Sequence, residues 1–173
     1  MASLKAGYLL PWRTIVSNVC FGLEHGQVGA KQRQEMARAA LALVGLSGFE
    51  KRYPHEMSGG QRQRVALAQA LAVDPDILPM DEPFAAVDAL TREALQDELA
   101  RIHAATHKTI IFVTHSITEA VYLADEVIAI TGKPGRLAAS IAIDTPRPRR
   151  RDDPANRDLV AHLRGILGDE EPA

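Results

Sequence analysis

Residues Met57 to Ala72 read Met-Ser-Gly-Gly-Gln-Arg-Gln-Arg-Val-Ala-Leu-Ala-Gln-Ala-Leu-Ala, and Ile77 to Pro83 follow as Ile-Leu-Pro-Met-Asp-Glu-Pro. The first stretch predicts a glycine turn opening a helix over 61–72, with Val65, Ala68, Leu71 and Ala72 on one face and Arg62, Gln63, Arg64 and Gln69 on the others. Asp74-Pro75 ends it. The second stretch predicts a strand over Ile77–Met80 that delivers two adjacent carboxylates, Asp81 and Glu82, at its end. Ser58 with two glycines places a hydroxyl and several unpaired backbone amides at one helix start, the composition of an anion site. Glycine matters there because a backbone without Cβ atoms can approach a phosphate closely. Taken alone, Ser-Gly-Gly reads first as a serine N-cap after a turn, and Asp-Glu as capping or solvated acids.

Outward from this centre, apolar runs alternate with helical patterns. A short helix is expected over Ile15–Phe21, with start signals at Pro11 and Thr14, and Gly26 and Gly29 mark a loop. From Lys31, Met36, Ala40, Leu43 and Val44 recur at helical spacing, and Gly45 stands where a left-handed C-cap is needed. A helix from about Asp88 to Ala105 should bury Leu95, Leu99 and Ile102. Thr109-Ile-Ile-Phe-Val-Thr114 predicts a strand apolar on both faces, as for one covered by helices, and His115 follows it. Ser116-Ile-Thr-Glu119 predicts a capping box, and Val127–Ile130 with Leu137–Ile143 predict two strands around Gly132-Lys-Pro-Gly135. The tail from Thr145 is rich in proline and arginine and then weakly helical. Helix and apolar strand in alternation mean an α/β fold.

Met57-Ser-Gly-Gly-Gln61, Met80-Asp-Glu-Pro83, Ala85-Ala-Val-Asp88 and Thr114-His115 resemble, in order, the signature loop, Walker B strand, D-loop and switch histidine of ABC-type ATPases. Leu10-Pro-Trp-Arg-Thr14, Tyr53-Pro-His55, Met80-Asp-Glu-Pro-Phe84, Asp88-Ala-Leu-Thr-Arg92 and Thr145-Pro-Arg-Pro148 look like the nitrate, sulfonate and taurine importer branch. The resemblance implies the C-terminal part of a P-loop NTPase domain: a helical subdomain with the signature loop over 13–72, and a Walker B, D-loop and switch-histidine core over 73–144. That core is part of a mainly parallel sheet with helices on both faces, and 145–173 follows as a tail. It implies ATP and Mg²⁺ as cofactors, with Asp81 holding Mg²⁺, Glu82 as general base, and His115 bonding a γ-phosphate or the attacking water. Ser58, Gly59, Gly60, Gln61 and Asp88 would face nucleotide held by a second ATPase subunit, docked head to tail. The other implied partners are a transmembrane permease, at the cytoplasmic face of the membrane, and, indirectly, a substrate-binding protein. Trp12 reads as an interface anchor toward that permease or as local core.

Departures from the family pattern carry their own expectations. The sequence contains no Gly-x-x-x-x-Gly-Lys-[Ser/Thr] phosphate loop, and Lys5 stands where the family has its lid glutamine. The reading is of a chain truncated at its front, unable to hydrolyse ATP alone, with uncovered sheet edges and marginal stability. Pro79 interrupts the Walker B strand and would cost about 1–3 kcal/mol if it removes a paired amide. Gln69 replaces an arginine usual in the helix after the signature.

Bulk properties exclude other classes. A net charge of -2 argues against a nucleic-acid surface, and the single cysteine, Cys20, forms no internal disulfide. No apolar run is long enough to span a bilayer, and the first residues lack a signal peptide's apolar region. A chromosome-maintenance ATPase would need a coiled-coil insertion and a basic face, which this sequence does not have. A non-catalytic remnant that binds a complete ATPase or permease is the rival. His103 and His107 lie four apart without a third ligand and read as a solvated helix end; Arg147–Arg151, interleaved with proline and followed by Asp152-Asp153, reads as a solvated linker.

Overall fold

The computed structural model describes residues 4–5, 9–26, 28–85 and 87–168. Its contacts group into two units, Met1–Val113 and Thr114–Ala173. The first holds β1 (Leu4–Lys5), α1 (Ile15–Cys20), α2 (Ala30–Leu43), α3 (Gly59–Ala72), β2 (Ile77–Asp81), α4 (Ala89–Thr106) and β3 (Thr109–Val113). The second holds α5 (Ile117–Leu123), β4 (Glu126–Thr131), β5 (Arg136–Ala142) and α6 (Pro154–Leu167). Ala86 of the Ala85–Asp88 motif and the side chain of Lys5 lie outside the described residues. This is an α/β architecture, with a parallel sheet β1-β2-β3 in the first unit and an antiparallel pair β4-β5 in the second.

Helices α1, α2 and α3 pack together around Ile15, Val19, Leu41, Val44, Val65 and Ala68, all buried. Thr14 caps α1 as its sequence position suggests, and a 3-10 turn at Phe21–Leu23 takes over where the helix was expected to run through Phe21. The buried stripe of α2 is Ala37, Ala40, Leu41 and Val44, a regular i, i+3, i+4, i+7 pattern. Leu43, expected on that stripe, is two residues out of phase with Leu41 and is 36% exposed. Gly45 does end the helix in the left-handed region at φ 68°, with Leu46 N–H donating to Leu41 and Gly45 N–H to Ala42, the paired bonds of a Schellman turn. Gln69, far from being only a lost charge, donates from Nε2 to the Asn18 carbonyl at 3.0 Å and ties α3 to α1.

In the sheet, Glu82 N–H donates to Val113 and Thr109 N–H to Asp76. With β2 and β3 paired in register Ile77↔Thr109 to Asp81↔Val113, these bonds turn the even-numbered amides of β2 toward β3. Pro79 is odd. Its missing N–H therefore faces the β1 side, and the described β1 pairing lies opposite Met80 and Asp81, so no β2–β3 ladder bond is lost. Any cost of Pro79 thus falls on the β1 side of the strand and not on its ladder with β3. Leu78 and Met80 are buried, and Met80 lines a small apolar cleft with Leu67 of α3 and Leu95 and Leu99 of α4. The other face is more open than a strand covered on both sides would be: Ile111 and Val113 are 50% and 52% exposed. Alternation along β3 is thus that of a half-covered strand.

In the second unit, β4 and β5 pair antiparallel with a register shift at Ala129/Ile130, and Val121, Ala129 and Leu163 form a small core with Leu159, Val160 and Leu167 against it. The tail is therefore a docked 14-residue helix, started by Asp153 and Pro154. Ser116 caps α5, but its expected box is modified. Its own N–H donates to Thr114 Oγ1 at 3.0 Å, and the Thr114 hydroxyl donates to Glu119 at 2.8 Å. The stretch read as a solvated linker contains a buried cation. Arg149, 7% exposed, donates to the carbonyls of Thr145, Val121, Tyr122, Ala124 and Ile143, and so binds the end of α5 to the chain that leaves β5.

Candidate functional site

Ser58 is the N-cap of α3. Its Oγ accepts from Gln61 N–H at 3.2 Å, and Gln61 Oε1 accepts from Ser58 N–H at 2.9 Å, a complete capping box. The amides at the first two helical positions, Gly59 and Gly60, precede any i→i−4 bond. The two glycines differ in what they permit. A Cβ at Gly59 would meet nothing nearer than Arg62 Nη2 at 4.0 Å, so that side of the helix start is open. A Cβ at Gly60 would lie 2.5 Å from Thr91 Cγ2, so the second glycine is required by α4. Arg62 donates to the Met57 carbonyl at 2.6 Å and holds the loop from behind.

Asp81 is the last residue of β2 and half-buried; Glu82 follows, exposed, with φ 44° in a region that side-chain-bearing residues seldom occupy. The bond from its N–H to Val113 at 2.9 Å fixes that turn against β3, and buried Phe84, 5.7 Å from Phe112, anchors the chain beyond it. Asp88 caps α4, accepting from Thr91 N–H at 3.0 Å. Bonds from the Thr91 amide and hydroxyl hold its carboxyl below the usual carboxylate range. A depressed folded pKa means this contribution is complete above the unfolded value, about 3.9, and is lost as pH falls through the lower folded value. The difference in urea midpoint between wild type and Asp88→Asn should therefore narrow as pH falls below about 4. A difference that widens on acidification would contradict the assigned cap.

The site residues fall on both units. Ser58, Gly59, Gly60, Gln61, Asp81, Glu82 and Asp88 belong to the first, where the Gly60–Thr91 approach brings the signature loop beside the start of α4. His115 belongs to the second and is exposed, in a turn pinned on both sides by the Ser116–Thr114–Glu119 bonds.

The ABC transporter family matches residues 5–85. An ABC transporter ATP-binding protein of Methanocaldococcus jannaschii is 49% identical over 94% of this chain and 61% of its own length. The taurine import ATP-binding protein TauB of Pseudomonas savastanoi pv. phaseolicola is 50% identical over 80% of this chain and 53% of its own. Among solved structures, a dimeric ATP-binding cassette bound to ADP and Pi superposes with a TM-score of 0.65 at 29% identity, over 82% of this chain and 62% of that one. The cbiO1 subunit of Clostridium perfringens, part of an ABC transporter complex, superposes with a TM-score of 0.69 at 26% identity, over 77% and 52%. This chain belongs to the ABC transporter ATP-binding family. It spans about half to three fifths of the length of these relatives.

The ABC domain's own geometry suits the group its family binds. An open Gly59, two helix-start amides and a fixed serine hydroxyl match a phosphate oxygen. Among the described residues no three His, Cys, Asp or Glu side chains gather as a metal site. Mg²⁺ shared with phosphates and water needs only one or two carboxylates, so Asp81 at a strand end suffices. Sequence reasoning missed three residues that hold their own parts of the fold in place. Thr91 was read only as part of a motif, though a threonine three after an Asp cap is a signal. Asn18 gave none: fully buried, it bonds Leu10 through both its Oδ1 and Nδ2, and also the carbonyls of Arg13 and Thr14, fixing the turn that carries Trp12. Arg149 was hidden by its charged, proline-rich neighbours.

Proposed function

We propose that this ABC domain belongs to an importer of taurine or a similar small sulfonate or oxyanion, and that the 173-residue chain supplies the signature-side half of a composite ATP site. The substrate class rests on about 50% identity to TauB proteins over four fifths of the chain. The half-site rests on one observation: Ser58 is held by a closed capping box while Gly59 beside it stays open. Trp12, 72% exposed on the turn that Asn18 fixes, suits an anchor for a permease, at the cytoplasmic face of the membrane. No helix among the described residues is long and apolar enough to cross a membrane.

Bound ATP supplies the cleavable phosphoanhydride and Mg²⁺ offsets the charge on its phosphates. Ser58 Oγ and the Gly59 and Gly60 amides would donate to terminal phosphate oxygens presented by a second subunit, and Gln61 keeps Ser58 aimed. Asp88 positions the start of α4 at the same face. In the first unit Asp81 would hold Mg²⁺ and Glu82 would take a proton from water, and in the second His115 would hydrogen-bond phosphate; each role needs a phosphate loop that these residues do not contain.

The test is complementation. A complete TauB-type subunit whose own signature serine has been replaced is mixed with this chain, and ATP hydrolysis is followed. Recovery of turnover that grows with added chain is expected. Stable association of the two without recovery overturns the composite-site reading in favour of a non-catalytic partner.

A further inference from the structure

The starts of α3 and α4 are built alike. In each, a capping oxygen accepts from the amide three residues on, Ser58 from Gln61 and Asp88 from Thr91. In each, the arginine four residues past the cap donates to the carbonyl just before it: Arg62 to Met57 at 2.6 Å, Arg92 to Val87 at 3.1 Å. Thr91 joins the two. Its amide donates to the Asp88 carboxylate at 3.0 Å, while its methyl is seated where a side chain at residue 60 would be. Such close seating leaves little freedom for one helix start to shift without the other, because packed contacts change by steps rather than by degrees.

We infer that Thr91 is a positioning residue that locks the signature loop and the Asp88 loop into one element, so that both reach a partner-held nucleotide together. This rests on the half-site reading above for its consequence, but the lock itself is a property of the nucleotide-free chain. The amide and the methyl belong to one residue, and each engages a different loop.

The lock has a specific signature in a methyl swap. Gly60→Ala alone drives its Cβ into Thr91 Cγ2, and Thr91→Ser alone leaves a gap. Combined, they move the methyl across the contact, since the Cβ at residue 60 would lie 3.9 Å from that of residue 91, at ordinary van der Waals distance. Amide hydrogen exchange of the chain reads the result. In an otherwise wild-type chain, Asp88→Ala should speed exchange about fivefold at residue 91, as expected for a lost cap, and also measurably at Gln61, which Asp88 does not cap. With Thr91→Ser the effect at Gln61 should vanish, and with Thr91→Ser plus Gly60→Ala it should return. A response at Gln61 that is absent in the wild-type background, or unchanged by Thr91→Ser, overturns the lock.

The complementation assay separates this from the half-site itself. Thr91→Ser should lower recovered kcat by about tenfold through misplacement, with KM for ATP nearly unchanged because the phosphate loop belongs to the other subunit. Unchanged kcat with a confirmed exchange response overturns the positioning role while leaving the composite site standing. If wild-type chain gives no recovery at all, the half-site fails and the exchange cycle alone decides the lock.

Discussion

Ser58→Glu in the 173-residue chain should abolish recovery of ATP hydrolysis by a signature-defective complete subunit, with a loss on the order of 10²- to 10³-fold in kcat, the range seen when a donor aimed at developing negative charge is removed. Glu82→Gln in the same chain should leave that recovery intact. The contrast follows from where each group would act. Ser58 is exposed at an open helix start, where nucleotide held by the other subunit would sit, and a carboxylate there would put like charge against phosphate. Glu82 sits at the strand end of its own sheet, where its proton-accepting role requires a phosphate loop that these residues do not include. A side chain at Ser58 that keeps the cap but not the hydrogen-bond pattern would blur the result, so Ser58→Glu is paired with Ser58→Ala, expected to cost about 1 kcal/mol of stability through the lost cap. Equal loss from Glu82→Gln and Ser58→Glu would place both residues at one active centre and sink the division of labour.

How far this was readable from the amino-acid sequence differs by element, for physical reasons. The helix over 59–72 was legible because a serine cap, two glycines and an apolar face all specify the same start, and its apolar residues are buried as their spacing requires. The strand at Asp81 was legible for the same reason, with an apolar run ending at two acids. The phase of α2 was not, because Leu41 and Leu43 are both apolar and only packing against α1 and α3 selects between them. Which side of β2 lacks an amide at Pro79 was hidden because it depends on the parity of a parallel register, which a bond from Glu82 to Val113 sets and composition does not encode. At the signature loop, sequence gave both glycines one reason, close approach to phosphate. The structure separates them: Gly59 is open, and Gly60 is small because Thr91 leaves no space. That second reason depends on a contact across 31 positions, and local pattern carries no trace of it.

Arg149→Met should be the most damaging substitution in the second unit, lowering its stability by about 3–5 kcal/mol, since each buried carbonyl left without a donor costs about 1–3 kcal/mol and some of the five can find water. Five carbonyl oxygens lose a donor at once. Three of them, on Val121, Tyr122 and Ala124, are the last acceptors of α5, which a helix end leaves without intrahelical partners. The other two, on Thr145 and Ile143, lie on the chain that leaves β5. Burial, with Arg147 nearby, presses the guanidinium pKa downward and Asp125 at 3.9 Å opposes this, yet a guanidinium stays charged at any ordinary pH. The carbonyls therefore do the work of a counterion, as at a helix C-terminus, where partial negative charge gathers. Methionine fills the volume and supplies no donor. Arg149→Lys keeps the charge but only three donors from a single point, so it should fall between Met and wild type. Arg150→Met is the control, since Arg150 is exposed and pairs only across the surface with Asp152, and it should leave stability unchanged. The readout is amide exchange in α5 and α6, because the one tryptophan, Trp12, lies in the first unit and its fluorescence would follow that unit instead. Protection in α5 and α6 that survives Arg149→Met would show that the apolar contacts of Val121, Ala129 and Leu163 hold the unit unaided, and the assignment of Arg149 as its central tie would be wrong.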